Sequence, residues 1–480
     1  MTGAPESREL VIVGGGPAGL AAAIEARRFG VQVCLIDERP QLGGQIYKQP
    51  PAAFHVLDPV RLGADYRAGR RLIDAAAESG VEVRTDTTVW AIWSKEVCFV
   101  RGGVDAGVID AGCLLLATGA YDRPMAFPGW TLPGVMTAGG AQSLVKTQRI
   151  VPGERILLAG SGPLVLAFAA QLAGYGANIV QVVEAAPRPG LRDARRLIRR
   201  ARGNEALLLA AASYFARIAR RRIPFRYGSI IVRAEGESAV ERALIARVDR
   251  EWSPIPGSEE SIDVDAVCLG YGFSPSTELA RLCGCDFAWD ETSGDWLPEH
   301  DGWMKTSIPG ILVAGDGSGV AGSRVAVEAG RLAGISAARE LGHLSASDAA
   351  KAAGPVRRRL DRMVAFATVL NEMYRPGSGA SALVTPDTVV CRCEDVTAGE
   401  IAGCFDDVVD PNVLKTFTRV GMGRCQGRNC GRTLTRMVAR SIGVKPNAVP
   451  PLTIRPPVKP VPIGAIAVER PERPRAIEIT

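Results

Sequence analysis

The chain has 480 residues, and at roughly 150 residues per domain this sets an expectation of about three domains. With 47% hydrophobic and 22% charged residues, the composition is ordinary for a globular protein and excludes a disordered or small disulfide-stapled chain. A net charge of +6, from 57 basic and 51 acidic residues, is too dilute to suggest a nucleic-acid partner. The three histidines, His55, His300 and His343, lie far apart and argue against a histidine metal site or a histidine relay.

The N-terminal MTGAPESREL leads directly into VIVGGG, with no leader-like segment, and no apolar run approaches the ~18 residues of a spanning helix. A cytoplasmic protein is expected, associated with a membrane only through partners. The 11 cysteines are then expected to be thiols or metal ligands rather than disulfides.

Residues 10–37 spell strand, glycine turn, helix and strand: LVIVGGG, PAGLAAAIEARRFG, VQVCLID. This is a βαβ unit of dinucleotide-binding size. Gly14-Gly15-Gly16-Pro17-Ala18-Gly19 is a G-x-G-x-x-G in the right context. Gly14 permits the turn, Gly16 the approach of a pyrophosphate, and Gly19 close packing of helix on strand. The helix opened by Pro17 and Ala18 offers free N–H groups and a positive end to phosphates. Asp37 ends the next strand, 23 positions after Gly14, where its carboxylate can take ribose hydroxyls. The adjacent Glu38 could substitute.

Three later segments bear on which dinucleotide is bound. Gly43-Gly44-Gln45 is a two-glycine turn. Leu116-Ala117-Thr118-Gly119-Ala120 is a strand end, and Thr306 to Asp316 is a strand that closes on Gly315-Asp316. With these segments, residues 1–345 resemble the glutathione-reductase-like flavoproteins, α/β proteins with two dinucleotide-binding domains. The resemblance implies FAD, with Gly44, Gln45, Thr118, Gly119 and Gly315 around it and Asp316 on its ribityl chain or pyrophosphate.

A second unit follows at 155–184: RILLAGSG, PLVLAFAAQLAGYG, ANIVQVVE. It keeps Gly160 and Gly162 but has Val165 at the third glycine position, which is expected to push the helix off its strand. Glu184 ends the next strand and would favour NAD over NADP. NAD(P) binding is therefore doubtful. Residues 192–226 carry eleven arginines around ALLLAAASYF, read as a helical pair with a solvated basic face. The other reading is an anionic partner or membrane surface.

Residues 346–384 read as a helical connector and 385–445 as a cysteine module. Cys391-Arg392-Cys393 is followed after 31 residues by Cys425-Gln426-Gly427-Arg428-Asn429-Cys430. Four clustered thiolates need a cation, and glycines around the second pair can aim N–H groups at sulfur. Structural zinc is the alternative to an iron–sulfur centre. CRCEDVT and GMGRCQGRNC resemble the helical [2Fe-2S] module of bacterioferritin-associated ferredoxin, with Cys391, Cys393, Cys425 and Cys430 as ligands. Cys404 lies outside this pattern, and Cys283-Gly284-Cys285 reads as two incidental thiols. The tail, 446–480, holds nine prolines and is expected to run extended over another surface.

Over nearly its whole length the chain is similar to the α subunits of hydrogen cyanide synthase, octopine and nopaline oxidases and dye-linked proline or hydroxyproline dehydrogenases. The most specific stretches are 117–142 (ATGAYDRPMAFPGWTLPGVMTAGGAQ) and 269–285 (LGYGFSPSTELARLCGC). The resemblance implies an FAD domain (1–122 with 286–345), a second dinucleotide-binding-like domain (123–285) and an electron-carrying role. It also implies a β subunit resembling D-amino-acid oxidase that oxidises a C–N bond. A small ferredoxin-like subunit, an FMN at a subunit interface, and a quinone or dye acceptor belong to the same picture. No residue of this chain need act as a catalytic acid or base. Two other readings stay open: a stand-alone NAD(P)H-dependent reductase, and a cofactor-bearing scaffold.

Overall fold

Strands buried on both faces read as unbroken apolar runs rather than as alternation. The segments LVIV (10–13), VCLI and ILLAG are of this kind. In the computed structural model, which describes residues 6–51, 53–56 and 63–467, they form the parallel centres of two sheets, the first mixed and the second wholly parallel. The first has the order Glu82–Arg84, Val33–Ile36, Glu6–Val13, Asp105–Leu116, Glu96–Arg101, Thr87–Trp93. Its register pairs Leu10 with Val33 and Ile12 with Leu115. The long strand Asp105–Leu116 changes partner along its length. Its first half runs antiparallel to Glu96–Arg101, and Leu114 to Leu116 pair in parallel with Ile311–Val313. The chain therefore leaves this sheet after residue 116 and returns to it at 311. The second sheet is wholly parallel, ordered Phe225–Tyr227, Ile179–Glu184, Ile156–Gly160, Ala266–Gly270, Val135–Thr137. A three-stranded antiparallel meander, Ser229–Glu235, Arg242–Arg247 and Glu260–Asp263, packs beside it.

The helix Pro17–Arg28 and the helix Ser323–Glu340 cover the first sheet. Small residues bring them into backbone contact. A Cβ on Gly330 would lie 2.1 Å from the carbonyl oxygen of Ala18, and one on Gly334 would lie 2.5 Å from that of Ala22. The connector is one long helix, Ala346–Met373, capped by the Ser345 hydroxyl accepting from Asp348 N–H. Its first half joins the core of the first sheet through Ala349, Ala353, Val356 and Leu360. At its other end Glu372 pairs with Arg196 of the basic helix Leu191–Arg199. That helix and its successor Glu205–Arg220 form the expected pair, with Leu191, Ile198 and Leu209 exposed among the arginines.

The cysteine module packs around Ile401, Leu414, Val420, Leu434 and Val438. It is tied to the second sheet by Trp130, whose indole N–H donates to the Val389 carbonyl at 2.6 Å. Contrary to a wholly extended tail, the proline-rich segment holds a short 3-10 turn, Pro446–Ala448, and a one-turn helix, Ile463–Ile466, and between them it runs extended back to the first sheet. Val458 N–H donates to Trp90 O at 2.9 Å, and Lys459 pairs with Glu38 at 2.7 Å. The ends of the sequence, 1–5 and 468–480, lie outside the described residues, and with them part of the tail. Among the described residues no helix is long and apolar enough to cross a membrane.

The contact at Gly330 gives a direct test of this packing. Gly330→Val forces two helix backbones apart and is expected to cost about 1–3 kcal/mol in urea unfolding. Gly302→Ala, which meets nothing within 4 Å, is expected to stay within about 0.5 kcal/mol of the parent.

Candidate functional site

The first glycine loop is folded as its spacing predicts. Gly14 takes φ +111°, and a Cβ there would lie 2.3 Å from Ala117 O. A Cβ on Gly19 would lie 1.9 Å from Gly14 O, so the helix sits directly on the turn. Gly16 is different: a Cβ on it would meet nothing nearer than Gly44 Cα, at 3.8 Å. Gly43 and Gly44, both at positive φ, bring the second turn against this opening. From the far side come Thr118, Gly119 and the Gly315–Ser318 turn. A Cβ on Gly317 would lie 3.0 Å from Thr118 Oγ1, and one on Gly315 would lie 2.8 Å from Ala18 Cβ. Four chain segments thus meet around a cleft whose walls are largely bare backbone, at the positive end of the helix begun by Pro17.

Asp37 sits beneath the loop. Its Oδ2 accepts from Gly15 N–H at 2.6 Å and its Oδ1 from Arg39 N–H at 2.8 Å. Burial raises its pKa more strongly than these bonds lower it. Asp316 accepts on Oδ1 from the Ala321 and Gly322 amides at 3.1 and 3.3 Å, which shapes the turn ahead of the helix Ser323–Glu340. Thr118 donates its hydroxyl to Ser276 O at 2.6 Å. Two other expected residues stand apart. Glu38 is exposed and engaged by Lys459, and Gln45 is exposed. The side chains buried after the second turn are instead Tyr47 and Lys48. The Lys48 ammonium donates to Ser143, and burial, aided by Arg39 and Lys146, lowers its pKa to about 8. No motif marks Lys48, because its importance arises from a helix almost a hundred residues away.

The second loop shares the pattern but not the geometry. Here the positive φ, +102°, falls on Gly162 and not on the leading glycine. Val165 does not displace the helix, contrary to expectation. It is buried, and its Cγ2 occupies the space that side chains on Gly160 and Gly270 would need. Glu184 holds the loop much as Asp37 does, accepting from Gly162 N–H and Ala186 N–H at 2.9 Å each. Burial outweighs those bonds and raises its pKa to about 7. Tyr374, at the end of the connector helix, lies over the loop, with its Cβ and Cγ 3.7 Å from a Cβ built on Gly162.

The cysteines of the C-terminal module stand as two hydrogen-bonded pairs, Cys391 with Cys430 and Cys393 with Cys425. The pairs are close enough to interact electrostatically, Cys391 with Cys393 and Cys425 with Cys430. Cys391 and Cys430 are buried, and the other two partly so. The Cys430 thiol donates to Cys391, whose sulfur also accepts from the Gly421, Glu394 and Cys393 amides, and its pKa falls to about 5 despite burial. The Cys430 pKa is raised correspondingly. Among the described residues no group of three or more His, Cys, Asp or Glu side chains is placed to hold a metal ion. Cys404 is half-buried and donates to Glu400 O, and burial raises the Cys283 thiol to about 12.

One short path of contacts joins the cleft to the cysteines. The Ser276 amide donates to Gly119 O at 2.9 Å, and its hydroxyl to Glu278 Oε2 at 2.8 Å. Glu278 pairs with Arg428 at 2.8 Å, with both side chains largely buried. Arg428 lies between Cys425 and Cys430 and donates to the Cys425 carbonyl at 3.2 Å. Sequence reasoning did not single out Glu278 or Arg428.

Residues 8–342 match the family described as pyridine nucleotide-disulphide oxidoreductase, and 386–470 match the sarcosine oxidase A3 domain. An opine oxidase subunit of Rhizobium meliloti is 34% identical over 98% of this chain and 89% of its own length. Hydrogen cyanide synthase subunit HcnB of Pseudomonas aeruginosa is 33% identical over 95% of this chain and 97% of its own. Among solved structures, L-proline dehydrogenase from P. horikoshii superposes with a TM-score of 0.69 at 21% identity, covering 97% of this chain and 81% of that one. The chain is an oxidoreductase of the pyridine nucleotide-disulphide oxidoreductase family, and within it a relative of hydrogen cyanide synthase subunit HcnB and of the opine oxidase subunit.

Proposed function

We propose that this chain is the electron-transferring FAD/[2Fe-2S] subunit of a multi-subunit dehydrogenase or oxidase. Its partner would resemble D-amino-acid oxidase and oxidise the C–N bond of an amino acid, imino acid or opine. The observation that supports this reading is the contact path from Gly119 through Ser276, Glu278 and Arg428 to Cys425, which links the glycine cleft to the cysteine loop by hydrogen bonds and one ion pair. The near full-length likeness to the opine oxidase subunit supports the substrate class.

The cleft suits FAD. Gly14, Gly16 and Gly19 leave the helix N-terminus bare for a pyrophosphate, and Asp37 fixes the loop, with its carboxylate at the place a ribose would take. Gly44, Thr118, Gly119, Gly315 and Asp316 complete the walls. Cys391, Cys393, Cys425 and Cys430 are the four thiolates a [2Fe-2S] centre would take, and the sequence likeness of CRCEDVT and GMGRCQGRNC to an iron–sulfur module favours it over zinc. The amides of Gly421, Glu394 and Cys393 already stabilise negative charge on Cys391. When bound, these groups would supply the exchange between paired and single electrons that a relay requires. The chain itself binds, orients and shields them. No histidine or nucleophile of its own is needed.

The rival source of electrons is a nicotinamide nucleotide at the second loop. The shifted glycine turn and the Tyr374 cover weigh against it. The deciding experiment is anaerobic. The purified, cofactor-loaded chain is mixed with NADH and then NADPH, and flavin absorbance is followed. No bleaching is expected with either, with reduction by dithionite intact. Co-purified with its partner, the same flavin should bleach with an amino acid, imino acid or opine. Rapid bleaching of the isolated chain by NADH or NADPH would replace this reading with the reductase.

Two substitutions test the sites separately. Gly16→Ala places a methyl group in the open cleft, where among the described residues it meets only Gly44 Cα, in ordinary contact at 3.8 Å. Apoprotein stability should hold within about 0.5 kcal/mol, while flavin affinity, measured by fluorescence titration, should fall about tenfold or more. Cys425→Ser should remove iron and acid-labile sulfide together and leave flavin content unchanged. Zinc in the parent chain would contradict the iron–sulfur assignment.

A further inference from the structure

Between the core of the second sheet and the cysteine module lies a cavity of about 430 Å³, within the size range of small-molecule sites. One side is apolar: Met125, Trp252, Tyr271, Val384, Phe405 and Met437. The lining also includes Arg440 and a cluster of Arg123, Arg432 and Arg436. One carboxylate answers all three. Asp295 binds Arg123 through Oδ2 at 2.5 Å and Arg432 through Oδ1 at 2.6 Å.

That leaves positive charge over. Both Asp295 oxygens are engaged, and Arg436 has no hydrogen bond or ion pair among the described residues. The charged groups acting on it are Arg432, Arg123 and Asp295, so two cations face it for one anion. Burial, reinforced by the two neighbouring arginines, lowers its pKa to about 9. Arg123 is only 7% exposed, yet its Nε has no partner, and neither has the Nε of Arg432. Arg436 is half-buried at the cavity wall, where a cation without a counter-charge is costly.

We propose that this cavity binds a small organic anion. Its carboxylate or phosphate lies against Arg436, and its apolar body lies against Met125, Trp252 and Met437. Guanidinium groups offer planar, forked donors matched to carboxylate and phosphate. The apolar wall selects an anion that carries a flat or aliphatic body over a bare inorganic ion. The inference uses none of the glycine cleft and none of the four cysteines, so it stands or falls apart from the proposed electron-transfer role.

The test is thermal unfolding of the purified, cofactor-loaded full chain with benzoate, phenyl phosphate, inorganic phosphate and, as a neutral control, benzyl alcohol. Benzoate or phenyl phosphate is expected to raise Tm saturably, at a concentration at least tenfold below that needed with inorganic phosphate. Benzyl alcohol should have no effect. Arg436→Met should weaken this binding at least tenfold. In ligand-free buffer the same variant should unfold no lower than the parent, because an unpartnered cation has been removed. Ala402→Phe, at an exposed position on the cavity wall, should block binding without changing any charge. Failure of both aromatic anions to stabilise the chain would overturn the proposal. So would full binding by both variants, or inorganic phosphate acting as well as phenyl phosphate.

Discussion

The ion pair between Arg428 and Glu278 is the contact on which the arrangement of the candidate sites depends. Both side chains are withdrawn from water, at 13% and 9% exposure. A buried pair of this kind contributes little net stability, but losing either partner strands a charge and is strongly destabilising. Its effect is therefore on placement. Glu278 begins the short helix Glu278–Leu282 and is held by the Ser276 hydroxyl, while Ser276 is bonded to Thr118 and Gly119. Arg428 sits in the loop between two cysteines and also donates to Val458 O of the tail. One charge pair thus fixes the cysteine loop relative to the glycine cleft and to the returning tail.

The two glycine loops show how one pattern supports two different surfaces. In both, a carboxylate at the end of the following strand accepts two backbone N–H bonds, so that feature fixes the loop whether or not a ligand is present. What separates them is the residue that takes the positive φ, and what lies outside. Gly16 faces open space toward Gly44, whereas Gly162 faces the ring of Tyr374. Val165 is tolerated because Gly160 and Gly270 leave room for its methyl group. A missing third glycine therefore does not by itself spoil the packing of a helix on such a sheet, since a glycine on a neighbouring strand can supply the same space.

Much of this was legible in the residues, and the reasons are local. The turn at Gly14 and the close approach at Gly19 follow from spacing, because those positions tolerate no side chain whatever the remainder of the chain does. That the strands near 12, 115 and 312 are buried follows from their unbroken apolar runs, whereas their pairing is seen only in the structure. The roles of Lys48, Glu278, Arg428 and Tyr374 were not legible. Each depends on a partner 90 or more residues away, and each is an ordinary polar residue in an ordinary setting until the chain brings that partner to it. Glu38 misled for the complementary reason. It stands beside the functional-looking Asp37, but it points to solvent, where Lys459 of the tail reaches it.

The tail has a mechanical consequence. The cysteine module hangs from the second sheet at Trp130, and the chain beyond it is fastened to the first sheet at Trp90 and Glu38. The connector helix already spans the same gap from the opposite direction, from Ala349 in the core of the first sheet to Tyr374 over the loop of the second. The two sheets and the module therefore form a closed ring of attachments rather than beads on a string. A hinge between the sheets would have to break one side of the ring to open. The separation of the glycine cleft from the cysteine pairs is then set at folding.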